Sequence, residues 1–121
     1  MENKRTLVIG ASMNPARYSY LAIHSLQKHG NEVVALAKRK GNIADIKIQT
    51  EFPGTKNIHT VTMYVGEKRQ LEYYNKLVEL KPKRVIFNPG AENNELAEVL
   101  ENKGIEVIEA CTLVMLSTGQ Y

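Results

Sequence analysis

The chain has 121 residues, 43% hydrophobic and 24% charged, with 8 Gly and 4 Pro, enough for one globular domain (1–121) and unlike a disordered or fibrous chain. No apolar run approaches the roughly 20 residues of a membrane-spanning helix, and Met1 to Thr6 leads only to Leu7, Val8 and Ile9 before Gly10, so neither secretory signal nor membrane anchor is expected. A net charge of +3 suits an anionic ligand without demanding nucleic acid, and the single cysteine, Cys111, suits a reducing compartment, taken as the cytoplasm.

In chain order, Thr6 to Ile9 is β-branched and apolar and predicts a strand, followed by the loop Gly10 to Ser19. Leu21, Ala22 and Leu26 recur at helical spacing from about Tyr20, and Gly30 supplies the stop. Glu32 to Ala37 reads as a buried strand closed by the basic turn Lys38, Arg39, Lys40, Gly41, and a weaker extended segment spans Ile43 to Ile48. After a turn at Phe52 to Gly54, Ile58 to Val65 is a third main strand. Glu67 to Leu80 is a helix with Leu71, Tyr74, Leu77 and Val78 on one face, closed by Pro82. Arg84 to Phe87 is a strand, Asn88-Pro89-Gly90 a turn, Glu92 to Lys103 a helix capped by Gly104, Ile105 to Ile108 a fifth strand, and Cys111 to Leu116 a short helix or turn.

Five strands alternating with helices predict an α/β, Rossmann-like, doubly wound parallel sheet with helices on both faces. Ligands of such sheets lie beyond the C-terminal strand ends. The loops expected there are Gly10 to Ser19, Lys38 to Gly41, Tyr64 to Gly66, Asn88 to Glu92 and Ala110 to Thr112.

The first loop departs from the GxGxxG fingerprint, because Ser12 stands where the second glycine would be. Arg17, the hydroxyls of Ser12 and Ser19 and a helix N-terminus still make an anion cradle, against the simpler reading of a capped turn with a solvated arginine. Where an NAD site would place an acidic residue after the second strand, this chain has Lys38, Arg39 and Lys40, which favours a phosphorylated ribose: the 2′-phosphate of NADP or the 3′-phosphate of coenzyme A.

Other chemistries fare worse. Asp45 is the one aspartate, so a phospho-accepting receiver domain lacks its carboxylates, and a serine hydrolase built on Ser12 lacks an Asp partner. His24, His29 and His59 have no metal-ligand spacing, so no metal is assigned. A nucleic-acid site would need the basic turn to share a face with Lys81 to Arg84, which the topology puts at opposite strand ends.

GASMNPARYSY at Gly10 to Tyr20, AKRKG after the second strand, TVTMYVG at Thr60 to Gly66, IFNPGAENNEL at Ile86 to Leu96 and EACTLVML near the end together resemble the small stand-alone CoA-binding domain proteins, which are similar to the CoA-binding domain of the succinyl-CoA synthetase α-subunit. The resemblance covers nearly the whole chain in the same order. It implies coenzyme A or an acyl-CoA as ligand. The phosphates would lie on Gly10, Ala11, Ser12, Asn14, Arg17 and Ser19, with Tyr18 in the same loop, and the phosphorylated ribose at Lys38. Tyr64 and Val65 would border the adenine or diphosphate, Asn88, Pro89 and Gly90 the pantetheine path, and Cys111 would stand near the far end. The synthetase's second α-subunit domain has no counterpart in this length, so the expectation is a binding module without catalysis of its own: a carrier, a sensor or a partner of an acyl-CoA enzyme. An NADP-binding oxidoreductase fragment is the alternative.

Overall fold

The computed structural model describes residues 3–54 and 57–121. Strands β1 (Thr6–Ile9), β2 (Val33–Leu36), β3 (Gly41–Ile43), β4 (Ile46–Gln49), β5 (Thr60–Met63), β6 (Arg84–Phe87) and β7 (Glu106–Glu109) form one sheet in the order β3-β4-β2-β1-β5-β6-β7. All neighbours are parallel except β3 and β4. The expected five-stranded sheet is therefore corrected to seven strands, by an antiparallel hairpin at one edge.

The hairpin occupies the weak segment at Ile43 to Ile48 and recruits Gly41 from the basic turn. Ile43 and Ile48 are buried while Asn42 and Lys47 are exposed, so the alternation of a half-buried strand is present, but over only three or four residues per strand. Its two-residue turn, Ala44-Asp45, puts Ala44 at φ 53, where hairpins ordinarily advertise themselves with glycine or asparagine.

Period-two alternation along the central strands divides the interior into two layers. Leu7 and Ile9 of β1 join Val61, Met63, Val85 and Phe87 under α3 (Tyr74–Leu80) and α4 (Asn94–Glu101), through Leu77, Leu96 and Leu100. Val8 and Ala35 face the other way, against Ile23 and Leu26 of α1 (Tyr18–Lys28) and Leu116 of α5 (Thr112–Ser117). Helices on both faces are thus observed. Each fully buried Leu or Ile contributes about 1.5–3 kcal/mol relative to an exposed one.

The long helix expected over Glu67 to Leu80 is broken. It runs as α2 (Glu67–Gln70), a 3₁₀ turn at Leu71–Tyr73, and α3. Just before the break Gln70 is fully buried, and its amide donates to the carbonyls of Val65 at 2.9 Å and Ala91 at 2.7 Å. Asn93 donates to the Gln70 carbonyl oxygen at 2.9 Å and caps α4 by accepting from the Leu96 N–H at 3.1 Å. This buried amide pair ties the loop after β5 to the loop after β6. No described helix is long and apolar enough to cross a membrane.

Candidate functional site

The chain winds from β1 through β2 to one edge of the sheet and then from β5 through β7 to the other, so the winding direction reverses between β1 and β5. Crevices of doubly wound sheets form at such a reversal. Here the loops after β1 and β5 meet closely: Tyr64 N–H donates to the Ile9 carbonyl at 2.9 Å, and a Cβ on Gly10 would lie 2.9 Å from the Val65 side chain and 3.1 Å from the Tyr64 carbonyl. Gly10, at φ +96, therefore answers both to its backbone angle and to that close approach.

The first loop is held by its own polar groups. Ser12 Oγ accepts from the Asn14 N–H at 3.1 Å, Asn14 Oδ1 accepts from the Ala16 N–H at 3.0 Å, and Arg17 N–H donates to the Asn14 carbonyl at 3.0 Å. Helix α1 follows with Arg17 at its N-cap position and no side chain closing its end. Its first N–H groups consequently face the loop without a side-chain acceptor.

A cleft of about 920 Å³ opens over this reversal. It brings together Gly10, Ala11, Ser12, Asn14, Arg17, Tyr18, Ser19, Lys38, Tyr64, Val65, Pro89 and Gly90 of the residues expected from sequence. Two it does not include. Asn88 is buried beneath the cleft, its amide donating to Thr62 Oγ1 at 2.7 Å and the Met63 carbonyl at 2.9 Å while its oxygen accepts from the Thr112 N–H at 2.8 Å. Every polar atom of that side chain is engaged within the protein. Cys111 sits half-buried at the N-cap of α5, outside the lining.

Asn88 to Ala91 form the expected turn. The Ala91 N–H donates to the Asn88 carbonyl at 2.8 Å, with Pro89 second and Gly90 third at φ +93, the residue pattern of a type II turn. Lys38 is not solitary. Its ammonium bonds both carboxylate oxygens of Glu72, at 2.8 and 2.9 Å, and this bond holds the Glu72 carboxyl below its usual range.

Sequence reasoning missed Met13, Arg69 and Tyr73, which also line the cleft. Met13 lies across Gly41, whose added Cβ would stand 2.4 Å from its sulfur, and so links the first loop to the basic turn. Arg69 and Tyr73 are four residues apart, a spacing that places both on one side of the helix expected over Glu67 to Leu80, and that segment follows a strand-end loop already marked for the ligand. That combination was the available signal. Among the described residues, the second basic cluster loses Arg84 to the interior, where its Nε donates to Thr60 Oγ1 at 2.8 Å and its guanidinium stacks 4.5 Å from the Tyr121 ring. No group of three or more His, Cys, Asp or Glu among the described residues is placed to hold a metal.

Burial pushes the phenol of Tyr64 up to about 12, beside the hydrogen-bonded hydroxyls of Thr62 and Thr112, and burial likewise raises Tyr73 to about 12. The folded values exceed the unfolded value of about 10, so the stability they confer is complete below that pH and is lost as the pH rises toward 12. Denaturation at pH 9 and 11 should show a markedly less stable protein at pH 11. Phenolate absorbance from these two tyrosines appearing near pH 10 without loss of structure would contradict it.

A family model for the CoA binding domain matches residues 4–117. The chain belongs to this CoA-binding domain family. A crystal structure of an uncharacterized protein shares 45% identity over 100% of both chains, with a TM-score of 0.97. A hypothetical protein from Pyrococcus horikoshii OT3 has the same fold at 20% identity and TM-score 0.87, over 96% of this chain and 83% of that one. A dinucleotide-forming acetyl-coenzyme A synthetase from Ca. Korarchaeum cryptofilum contains it too, at 16% identity and TM-score 0.71, over 89% of this chain but 26% of the synthetase. No curated protein matches the sequence.

Proposed function

We propose that this member of the family binds coenzyme A or an acyl-CoA along the cleft over the β1–β5 reversal, as a cytoplasmic binding module without catalysis of its own. The observation that carries the reading is the union, in one cleft, of the loop from Gly10 to Arg17, the first turn of α1 and the basic turn after β2. The diphosphate lies on Gly10, Ala11, Ser12 and Asn14 at the α1 N-terminus, with Arg17 as its counter-charge and Tyr18 and Ser19 alongside. A ribose phosphate meets Lys38. Tyr64 and Val65 border the adenine or diphosphate, and the pantetheine arm runs over Pro89 and Gly90 in the direction of Cys111. Asn88 serves this path indirectly, by holding the turn that presents Pro89 and Gly90.

The same fold makes up about a quarter of the acetyl-coenzyme A synthetase chain, which supports a detached module that serves an acyl-CoA enzyme as partner. The mass of the small molecule that co-purifies with the protein tests the reading: CoA or an acyl-CoA is expected, and NADP in its place would overturn it in favour of an oxidoreductase fragment.

Calorimetry should further show CoA binding about ten- to a hundredfold more tightly than dephospho-CoA, since a hydrogen bond from Lys38 to the charged phosphate by itself contributes about 1.5 kcal/mol at this exposure. Arg17→Ala should weaken both ligands alike, because both retain the diphosphate. Equal affinity of the unaltered protein for the two would remove Lys38 from the site.

A further inference from the structure

The described lining of the cleft holds four cations, Arg17, Lys38, Arg39 and Arg69, and no carboxylate. Only Lys38 among them has an ion-pair partner among the described residues, and that partner, Glu72, reaches it from outside the cleft. Both members of the pair are about half exposed, with side-chain accessibilities of 58% and 47%, so the pair is screened and weak. Arg69 lies three residues before Glu72, on the helical segment after β5, whereas Lys38 and Arg39 come from the turn after β2. Arg17 starts α1, at the loop that suits the diphosphate. Three uncommitted guanidinium groups in a cleft free of carboxylates exceed what one diphosphate needs.

We propose that Arg69 is a specificity residue for a phosphate monoester on the ligand's ribose, acting with the Lys38–Arg39 turn, and that Glu72 is the carboxylate which this phosphate displaces from Lys38. The proposal rests on the coenzyme A reading and deepens it. A guanidinium offers paired donors to phosphate oxygens, which an ammonium does not, so Arg69 supplies directional recognition where Lys38 supplies charge. A phosphate near its second ionisation carries up to twice the charge of a carboxylate, and therefore competes successfully with Glu72 for the exposed Lys38. Glu72 then acts as a selectivity brake, since its negative charge beside the phosphate opposes phosphorylated ligands and leaves unphosphorylated ones unaffected.

Calorimetric titration of the unaltered chain, Arg69→Gln and Glu72→Gln with CoA and dephospho-CoA tests this. Arg69→Gln should weaken CoA about tenfold and leave dephospho-CoA within about twofold, while Glu72→Gln should tighten CoA several-fold and again leave dephospho-CoA unchanged. Thermal unfolding of both variants should match the unaltered chain, as both side chains are exposed. If Arg69→Gln affects the two ligands equally, or neither, Arg69 is not a specificity residue; if Glu72→Gln does not favour CoA selectively, there is no exchange at Lys38. Failure of the unaltered chain to bind either ligand would instead sink the coenzyme A reading itself.

Discussion

Asn88→Ala should lower the stability of the fold by about 3 kcal/mol. The side chain ties the loop after β6 to two other elements: it donates to Thr62 Oγ1 and the Met63 carbonyl at the end of β5, and it accepts from the Thr112 N–H at the start of α5. Its removal leaves the Thr62 and Thr112 hydroxyls paired with each other at 2.7 Å, but it strands the Met63 carbonyl and the Thr112 N–H. Each buried group left unsatisfied costs about 1–3 kcal/mol. For a domain of this size the melting temperature should fall by about 10–15 °C. Asn88→Asp should not restore the loss, because a carboxylate cannot donate to two acceptors. Thermal and urea unfolding measure the effect directly. Full stability combined with loss of CoA affinity would mean that Asn88 faces the ligand and not the interior.

Gly10→Ala should cost about 2 kcal/mol and weaken CoA and dephospho-CoA alike by tenfold or more. The backbone at φ +96 is costly for any side chain, by about 1–3 kcal/mol. The added methyl would also stand 2.9 Å from Val65 Cγ1 and 3.1 Å from the carbonyl of Tyr64. Relief requires the loops after β1 and β5 to part, and those loops frame the cleft. Because the Gly10 and Ala11 N–H groups both donate to the Leu36 carbonyl, at 2.9 and 3.1 Å, movement of the first loop also disturbs the end of β2 where the basic turn begins. Unfolding midpoints and titrations on one preparation separate the two effects. A variant that is destabilised yet binds both ligands normally would show that the Gly10 loop does not touch the ligand.

Much of the fold is legible in local pattern. Val8 between Leu7 and Ile9, the apolar spacing of α4, and glycines after α1 and α4 are signals carried by neighbouring residues, and they place five of the seven strands and the helices of both faces. The edge hairpin escaped because its strands are three and four residues long and its turn carries Ala44 in a left-handed conformation. Similarly, nothing local announces the 3₁₀ break at Leu71–Tyr73. It accompanies the buried Gln70–Asn93 amide pair, and both partners read as ordinary polar helix residues until the two loops they join are in place.

For the site, chain order alone determined which loops share the C-terminal edge of the sheet, since parallel strands with helical crossovers present every such loop on one side. The Gly10 loop, the basic turn and the Pro89-Gly90 turn were identifiable on that ground. Tertiary structure decided how each side chain in those loops is used. Asn88 turns inward because Thr62 and Thr112, 26 and 24 residues away, converge on it with a complementary set of donors and acceptors. Lys38 acquires Glu72 from 34 residues away, and Arg69 reaches the cleft because the helical segment after β5 packs beside the turn after β2. The physical reason is range: backbone periodicity is set by near neighbours, whereas the partner of a charge or an amide is whichever group the folded chain brings within about 3 Å, and spacing along the sequence does not encode that distance.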